Sequence, residues 1–173
     1  TRRWYCFMSE NNNKRMILSI LVDNTAGVLS RVSGLFSRRG YNIDSLTVGE
    51  TEDPSISRMT VAVSGNESIL EQIKKQVTKL CDVKEIVELM PDSSVCRELI
   101  LIKVRTDSTE RTSLYTIANI FRAKVVDVSE DFMMIELTGD TNKIDAFIKL
   151  LDGFEIDELV RTGITGLTRG FLN

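Results

Sequence analysis

The chain has 173 residues, 42% hydrophobic and 27% charged, with no His at all, which excludes Ser-His-Asp and Cys-His nucleophilic sites and any imidazole-based zinc site. Its three thiols, Cys6, Cys81 and Cys96, lie 75 and 15 residues apart, so there is no CxxC motif, and so sparse a set favours a reducing, cytoplasmic setting. A net charge of −3 offers no basic excess for nucleic acid, and no apolar run approaches the roughly 18 residues that would cross a membrane.

Residues 1–15, TRRWYCFMSENNNKR, carry a net +3 and lack the apolar stretch of a signal peptide. They read as a disordered or non-native N-terminal arm, with a targeting arm or a contact to an acidic partner as the functional alternatives. MILSILV (16–22) is apolar and β-branched enough for a strand covered on both faces. Asp23-Asn24-Thr25 supply cap chemistry, and Val28, Leu29, Val32, Leu35 and Phe36 then recur at helical spacing until Gly40 closes the helix. Tyr41 to Val48 reads as a strand and Glu52 to Ser55 as a loop. Arg58 to Val63 alternates, with Met59, Val61 and Val63 on one face and Arg58, Thr60 and Ala62 on the other. A second helix carries Leu70, Ile73, Val77 and Leu80, and Val83 to Leu89 is a fourth strand.

After the linker-like Pro91-Asp92-Ser93-Ser94 the same order returns. Strands are expected at Glu98–Val104, Lys124–Val128, Phe132–Leu137 and Phe154–Val160, with helices at Thr109–Phe121 and Thr141–Leu151. At an offset of 74, Ser64-Gly65-Asn66 falls on Thr138-Gly139-Asp140. Leu70, Ile73, Val77 and Leu80 then fall on Ile144, Phe147, Leu151 and Phe154. This is an internal duplication. The expected fold is α+β, two ferredoxin-like βαββαβ domains at 16–90 and 97–173, joined by a linker at 91–96.

The chemistry is concentrated in Asp23-Asn24-Thr25-Ala26-Gly27-Val28-Leu29, a strand entering a helix. First-turn amides lack intrahelical partners there, and Gly27 has no Cβ to keep a carboxylate away. A plain N-cap by Asn24 or Thr25 explains the same string. Gly34 lies inside the helix, either for close packing on the sheet or for contact with a partner helix. Tyr41-Asn42-Ile43-Asp44 opens a strand with polar groups, either as an exposed strand end or as an edge that pairs with another chain. Cys81 and Cys96 are expected as small buried hydrophobes.

DNTAGVLSRVSGLFSRRGYNIDSLTVG (23–49), then DPSISRMT (53–60), closely resembles the small regulatory subunits of acetohydroxyacid synthase, also called acetolactate synthase, and RTGITGLTRG (161–170) continues the likeness. The resemblance covers roughly residues 16–170 and makes the first half an ACT domain. It implies a non-catalytic chain that activates a catalytic large subunit and confers feedback inhibition by valine in branched-chain amino-acid synthesis. It implies no cofactor in this chain, with thiamine diphosphate, Mg and FAD in the large subunit, and a homodimer through side-by-side ACT domains. The matching effector positions are Asn24, Gly27, Val28 and Leu29 on one chain, with Asn42 and Ile43 on its partner. A free-standing ACT-type amino-acid sensor acting on another enzyme or a transcription factor is the alternative.

Overall fold

A computed structural model describes residues 14–170. Of the expected arm only Lys14 and Arg15 fall within it, and both extend the first strand, opposite Gly65 and Ser64. The first domain runs β1 (Lys14–Asp23), α1 (Val28–Arg38), β2 (Ile43–Glu50), β3 (Ile56–Gly65), α2 (Glu67–Val77) and β4 (Val83–Glu88). Its antiparallel sheet has the order β2-β3-β1-β4. The second domain repeats this as β5 (Ser94–Arg105), α3 (Glu110–Ile120), β6 (Lys124–Val128), β7 (Phe132–Gly139), α4 (Thr141–Leu150) and β8 (Glu155–Arg161). Its sheet has the corresponding order β6-β7-β5-β8. A short ninth strand, β9 (Thr165–Thr168), pairs with the start of β5.

Strand alternation decides which side chains meet the helices. Met16, Leu18, Ile20 and Val22 from β1 and Met59, Val61 and Val63 from β3 pack with Val28, Val32, Leu35 and Phe36 of α1 and Leu70, Ile73 and Val77 of α2. Ile100, Ile102 and Val104, Met133, Ile135 and Leu137, with Leu114, Ile144, Phe147 and Leu151, form the second core. There Phe121 meets the Phe147 ring edge-on at 5.2 Å between centroids.

The duplication extends to the caps. Asn66 accepts from the Ile69 amide at 2.9 Å, and Asp140, 74 residues on, accepts from the Lys143 amide at 2.8 Å. Gly40, at φ 71°, ends α1 as expected: the Gly40 amide bonds the Ser37 carbonyl and the Tyr41 amide the Phe36 carbonyl, which is the Schellman pattern. That turn holds Tyr41 and Asn42 out of the sheet, so β2 starts at Ile43 rather than Tyr41.

The two domains are joined by more than the chain between them. Ser94–Cys96, expected in the linker, are already strand, paired with Gly166–Thr168. On the helix-free face of the first sheet, Ser19, Thr60 and Ala62 are buried, although no helix covers them. In register beside Thr60 and Ala62 lie Thr47 and Ser45. Thr47 Oγ1 donates to the Ile164 carbonyl at 3.0 Å, and the Ile164 amide donates to Ser45 Oγ at 3.3 Å. Ile164 is only 2% exposed. Gly163 adopts φ 85° directly over Ser45, where a Cβ would stand 2.9 Å from the Ser45 Cβ.

One expectation fails at the thiols. Cys96 is half-buried, but Cys81 is exposed in the turn after α2, its Sγ 3.8 Å from Asp82 Oδ2. Leu80, the last apolar position of the stripe, still packs against the core beyond the end of α2, and the turn that follows leaves Cys81 outside it. Among the described residues, no helix is long and apolar enough to cross a membrane.

Candidate functional site

The loop between β1 and α1 is built by the strand end and an uncapped helix start. The Asn24 amide bonds the Ser55 carbonyl at 2.7 Å, which fixes the chain as it leaves the sheet. Asn24 Nδ2 donates to Glu50 Oε1 at 3.1 Å and to the Pro54 carbonyl at 2.9 Å. Both partners are acceptors, so the amide orientation follows, and Oδ1 is the acceptor that these two bonds leave unused. Gly27 is the N-cap of α1 in the left-handed conformation, φ 87°, a geometry that disfavours residues with a Cβ. Among the described residues no side chain caps this helix, and its first turn contains no acidic residue. Val28 is in the core and its amide bonds the Thr25 carbonyl at 3.3 Å, whereas Leu29 is 47% exposed beside the entry.

The second domain provides an internal control. Its loop Thr106-Asp107-Ser108-Thr109 has the same length as Asn24-Thr25-Ala26-Gly27. The Thr106 amide bonds the Asp131 carbonyl as the Asn24 amide bonds Ser55. Here, however, Asp107 Oδ1 accepts from the Thr109 amide at 2.8 Å, the Thr109 hydroxyl at 2.6 Å and the Glu110 amide at 2.8 Å. These bonds, the Thr109 hydroxyl foremost, hold the Asp107 carboxyl below its ordinary range. A carboxylate therefore already occupies the helix entry of the second domain. In the first domain the corresponding residue is Thr25, and it makes no side-chain cap.

Asn42 and Ile43 are not close to this loop within one chain. Asp23, which leads into the loop, stands opposite Ile56 on β3, while Ile43 stands opposite Val63. Seven residues of β3 separate them, about 23 Å at about 3.3 Å per residue. Asn42 is exposed, and Ile43 packs at the margin of the first core. The six expected residues thus fall into two groups at opposite ends of the sheet. Of the two readings of Gly34, packing on the sheet is removed, because the nearest atom to an added Cβ is Arg38 Nη1 at 3.4 Å.

Two further residues flank the entry. Arg31 Nε donates to Asp82 Oδ2 at 2.6 Å and Nη2 to Oδ1 at 2.8 Å, a bidentate pair between α1 and the start of β4. The Arg31 hydrogen bond holds the Asp82 carboxyl below its ordinary value. Arg31 lies four residues after Gly27, and helical side chains lean towards the N-terminus, so its place beside Gly27 is visible in the spacing. Asp82, 51 residues away, has no such local signal.

A separate polar cavity of about 510 Å³ lies between the domains, lined by Arg15, Asp44, Glu98, Asp145 and Arg161 among others. Glu98 is 3% exposed and takes hydrogen bonds from Arg161 Nε at 2.9 Å and Thr141 Oγ1 at 2.9 Å, while Arg161 Nη1 reaches Asp145 at 3.0 Å. Burial draws the Arg161 pKa down, but the bonds and charges of Glu98 and Asp145 outweigh it and leave a net rise. Among the described residues, no group of three or more Cys, Asp or Glu is placed to hold a metal.

Known proteins show the same two-part chain. Residues 18–85 match the profile of the ACT domain of acetohydroxyacid synthase small-subunit-like proteins, and residues 97–170 match that of the small subunit of acetolactate synthase. A probable acetolactate synthase small subunit from Methanothermobacter thermautotrophicus is 51% identical over 155 residues, 89% of this chain and 92% of its own. The chain belongs to the acetolactate synthase small-subunit family. The small subunit from Mycolicibacterium smegmatis is 50% identical over 160 residues, 92% of this chain and 94% of its own. The crystal structure of the Thermotoga maritima small subunit superposes with a TM-score of 0.85 at 41% identity, covering 92% of this chain and 99% of that one. Family membership sets the chain apart from the catalytic subunits of that enzyme and agrees with the ferredoxin-like, ACT-type architecture.

Proposed function

We propose that this chain binds the catalytic subunit of acetolactate synthase, raises its activity and makes it subject to feedback inhibition by valine held between two ACT domains. The observation that carries the effector site is the contrast between the two repeats. Where the second domain supplies the Asp107 carboxylate to its own helix entry, the first leaves the entry at Gly27 open. An amino-acid carboxylate completes it in the same way. Oδ1 of Asn24 then faces the ammonium group, and Leu29 and Ile43 supply apolar surface for a branched side chain.

The separation of the half-sites supports a dimeric site. β2 is an edge strand, and antiparallel pairing with β2 of a second copy reverses its direction. The Asn42–Ile43 end of one chain then meets the Glu50 end of the other, where Asn24 is anchored. An effector bridging the two chains favours one arrangement of the dimer, and it inhibits only through its differential affinity for that arrangement on the catalytic subunit. A coupling of about 1–3 kcal/mol accounts for regulation of tens-fold. Thiamine diphosphate, Mg and FAD belong to the catalytic partner in this reading.

Calorimetry of the full chain with valine, and activity of the catalytic subunit with and without the chain, test the proposal directly. Gly27→Asp places a tethered carboxylate at the entry, and Asp tolerates the left-handed backbone better than most residues. Loss of valine binding in that variant is expected, and normal binding refutes the site.

A further inference from the structure

We propose that β6 is a self-association edge of the second domain, along which two copies of this chain pair antiparallel about a two-fold axis. β6 ends the second sheet as β2 ends the first, so its outer side has no strand partner among the described residues. Val126 and Val128 are exposed along it. An open edge with apolar side chains attracts other strands unless charge keeps them off.

The charges on β6 suit one kind of partner. Its ladder with β7 shifts between Val125 and Asp127, with Lys124 opposite Glu136 and Asp127 opposite Met134. Glu136 and Met134 alternate onto one face of β7, so Lys124 and Asp127 share the matching face of β6. On a regular strand residues at this odd spacing would lie on opposite faces, and the extra residue of the bulge brings the two charges together. In a two-fold antiparallel pair, Lys124 of each copy then stands opposite the partner's Asp127, with Val125 and Val126 between the two ion pairs. Both groups are available for this. The exposed Asp127 side chain has no partner among the described residues, and Lys124 reaches Glu136 only at 3.9 Å while staying largely exposed. An unrelated strand leaves both charges unmatched, which makes the edge selective for its own copy. The other edge of the same sheet differs. β8 carries Glu155, Asp157 and Glu158, all of one sign, and the first two already pair with Arg105 and Lys103 of their own chain. With β2 also pairing two-fold, each chain has two self-complementary edges, through which dimers join into larger assemblies.

The test is sedimentation velocity of the full chain over a range of concentrations, with two charge reversals. Pairing along so short a strand buries little surface, so the association is weak and grows with concentration. Lys124→Asp leaves two carboxylates on the edge and Asp127→Lys leaves two ammonium groups, so in each variant like charges meet at both ends. Each variant alone is expected to self-associate through this edge about tenfold more weakly or worse. Mixed in equal amounts, the two variants again set opposite charges against each other at both ends, and association is expected to return to that of the unchanged chain. Both positions are exposed, so circular dichroism should read the native fold in each variant. Single variants that associate as the unchanged chain does, or a mixture that associates no better than its components, overturn the proposal. Stronger association of Asp127→Lys alone would place the partner of β6 on an acidic edge such as β8 and would overturn the two-fold pairing.

Discussion

Gly163→Ala measures how firmly the two domains are docked, and Gly40→Ala supplies its control within the same chain. Both glycines have left-handed φ, 85° and 71°. An L-residue there costs about 1–2 kcal/mol, partly offset by the reduced freedom of alanine in the unfolded chain, about 0.4–1 kcal/mol. At Gly40 nothing lies within 4 Å of an added Cβ, so that net backbone term is the whole effect. At Gly163 the new Cβ stands 2.9 Å from the Ser45 Cβ and 3.6 Å from the Leu46 amide nitrogen. Carbon pairs prefer about 3.5–4.0 Å, and the Ser45 Cβ is fixed to a strand and cannot rotate away, so β2 and the 161–165 segment must separate. Overpacking of this kind costs about 1–3 kcal/mol beyond the backbone term. With a urea m-value near 2 kcal/mol/M, the Gly163→Ala midpoint should lie about 0.5–1.5 M below that of Gly40→Ala. Circular dichroism at fixed protein concentration reads both. Equal midpoints would refute the docking of Gly163 on Ser45.

Four further outcomes are expected. Phe147→Ala should lower stability by about 3–5 kcal/mol in denaturant unfolding, because the side chain is fully buried and holds the edge-on contact with Phe121. Glu98→Ala removes the buried partner of Arg161 and should cost about 2–3 kcal/mol, below the usual range for a broken buried pair because the Arg161 side chain is 34% exposed. Asn66→Ala and Asp140→Ala, equivalent caps in the two repeats, should each cost about 0.5–2 kcal/mol in the same assay, with similar values for the pair. Asp53, Asp82 and Asp107 have folded pKa values depressed by their hydrogen bonds. Their stabilisation is therefore present above the ordinary aspartate value of about 3.9 and is lost as the pH falls through the lower folded values. A thermal midpoint that falls below about pH 4, and falls less in Asp107→Asn, is the expected result.

The element order was legible because strands and helices here differ in period, and the 74-residue offset pairs caps and core positions that the structure confirms as equivalent. What escaped was non-local. Lys14 and Arg15 have no apolar signal, but their backbone continues the ladder with β3. β9 is four residues long, Thr165–Thr168, and exists through its pairing with Ser94–Arg97. The helix entry at Gly27 was visible as a local string, yet the same local signal suited a plain cap. Only the comparison with Asp107 distinguishes an open entry from a closed one. That Asn42 and Asn24 lie at opposite ends of the sheet depends on the strand order β2-β3-β1-β4, which no local pattern encodes. Glu98 looked like the polar start of a strand, whereas Arg161, 63 residues away, makes its burial tolerable.

The docking of Gly163 and Ile164 on Ser45 and Thr47 sets an order of events during synthesis. The first domain is complete at Glu88, but the segment that covers its helix-free face is made roughly 75 residues later. At about 5–20 residues per second the ribosome leaves that face open for about 4–15 s. The strip that this segment covers, Ser45 and Thr47 with Thr60 and Ala62 beside them, is small and mostly hydroxylated, on a face that also holds Ile17, Leu21 and Val87. The hydroxyls of this strip bond water while they wait. The same hydroxyls later serve as hydrogen-bond partners for the last part of the chain to emerge.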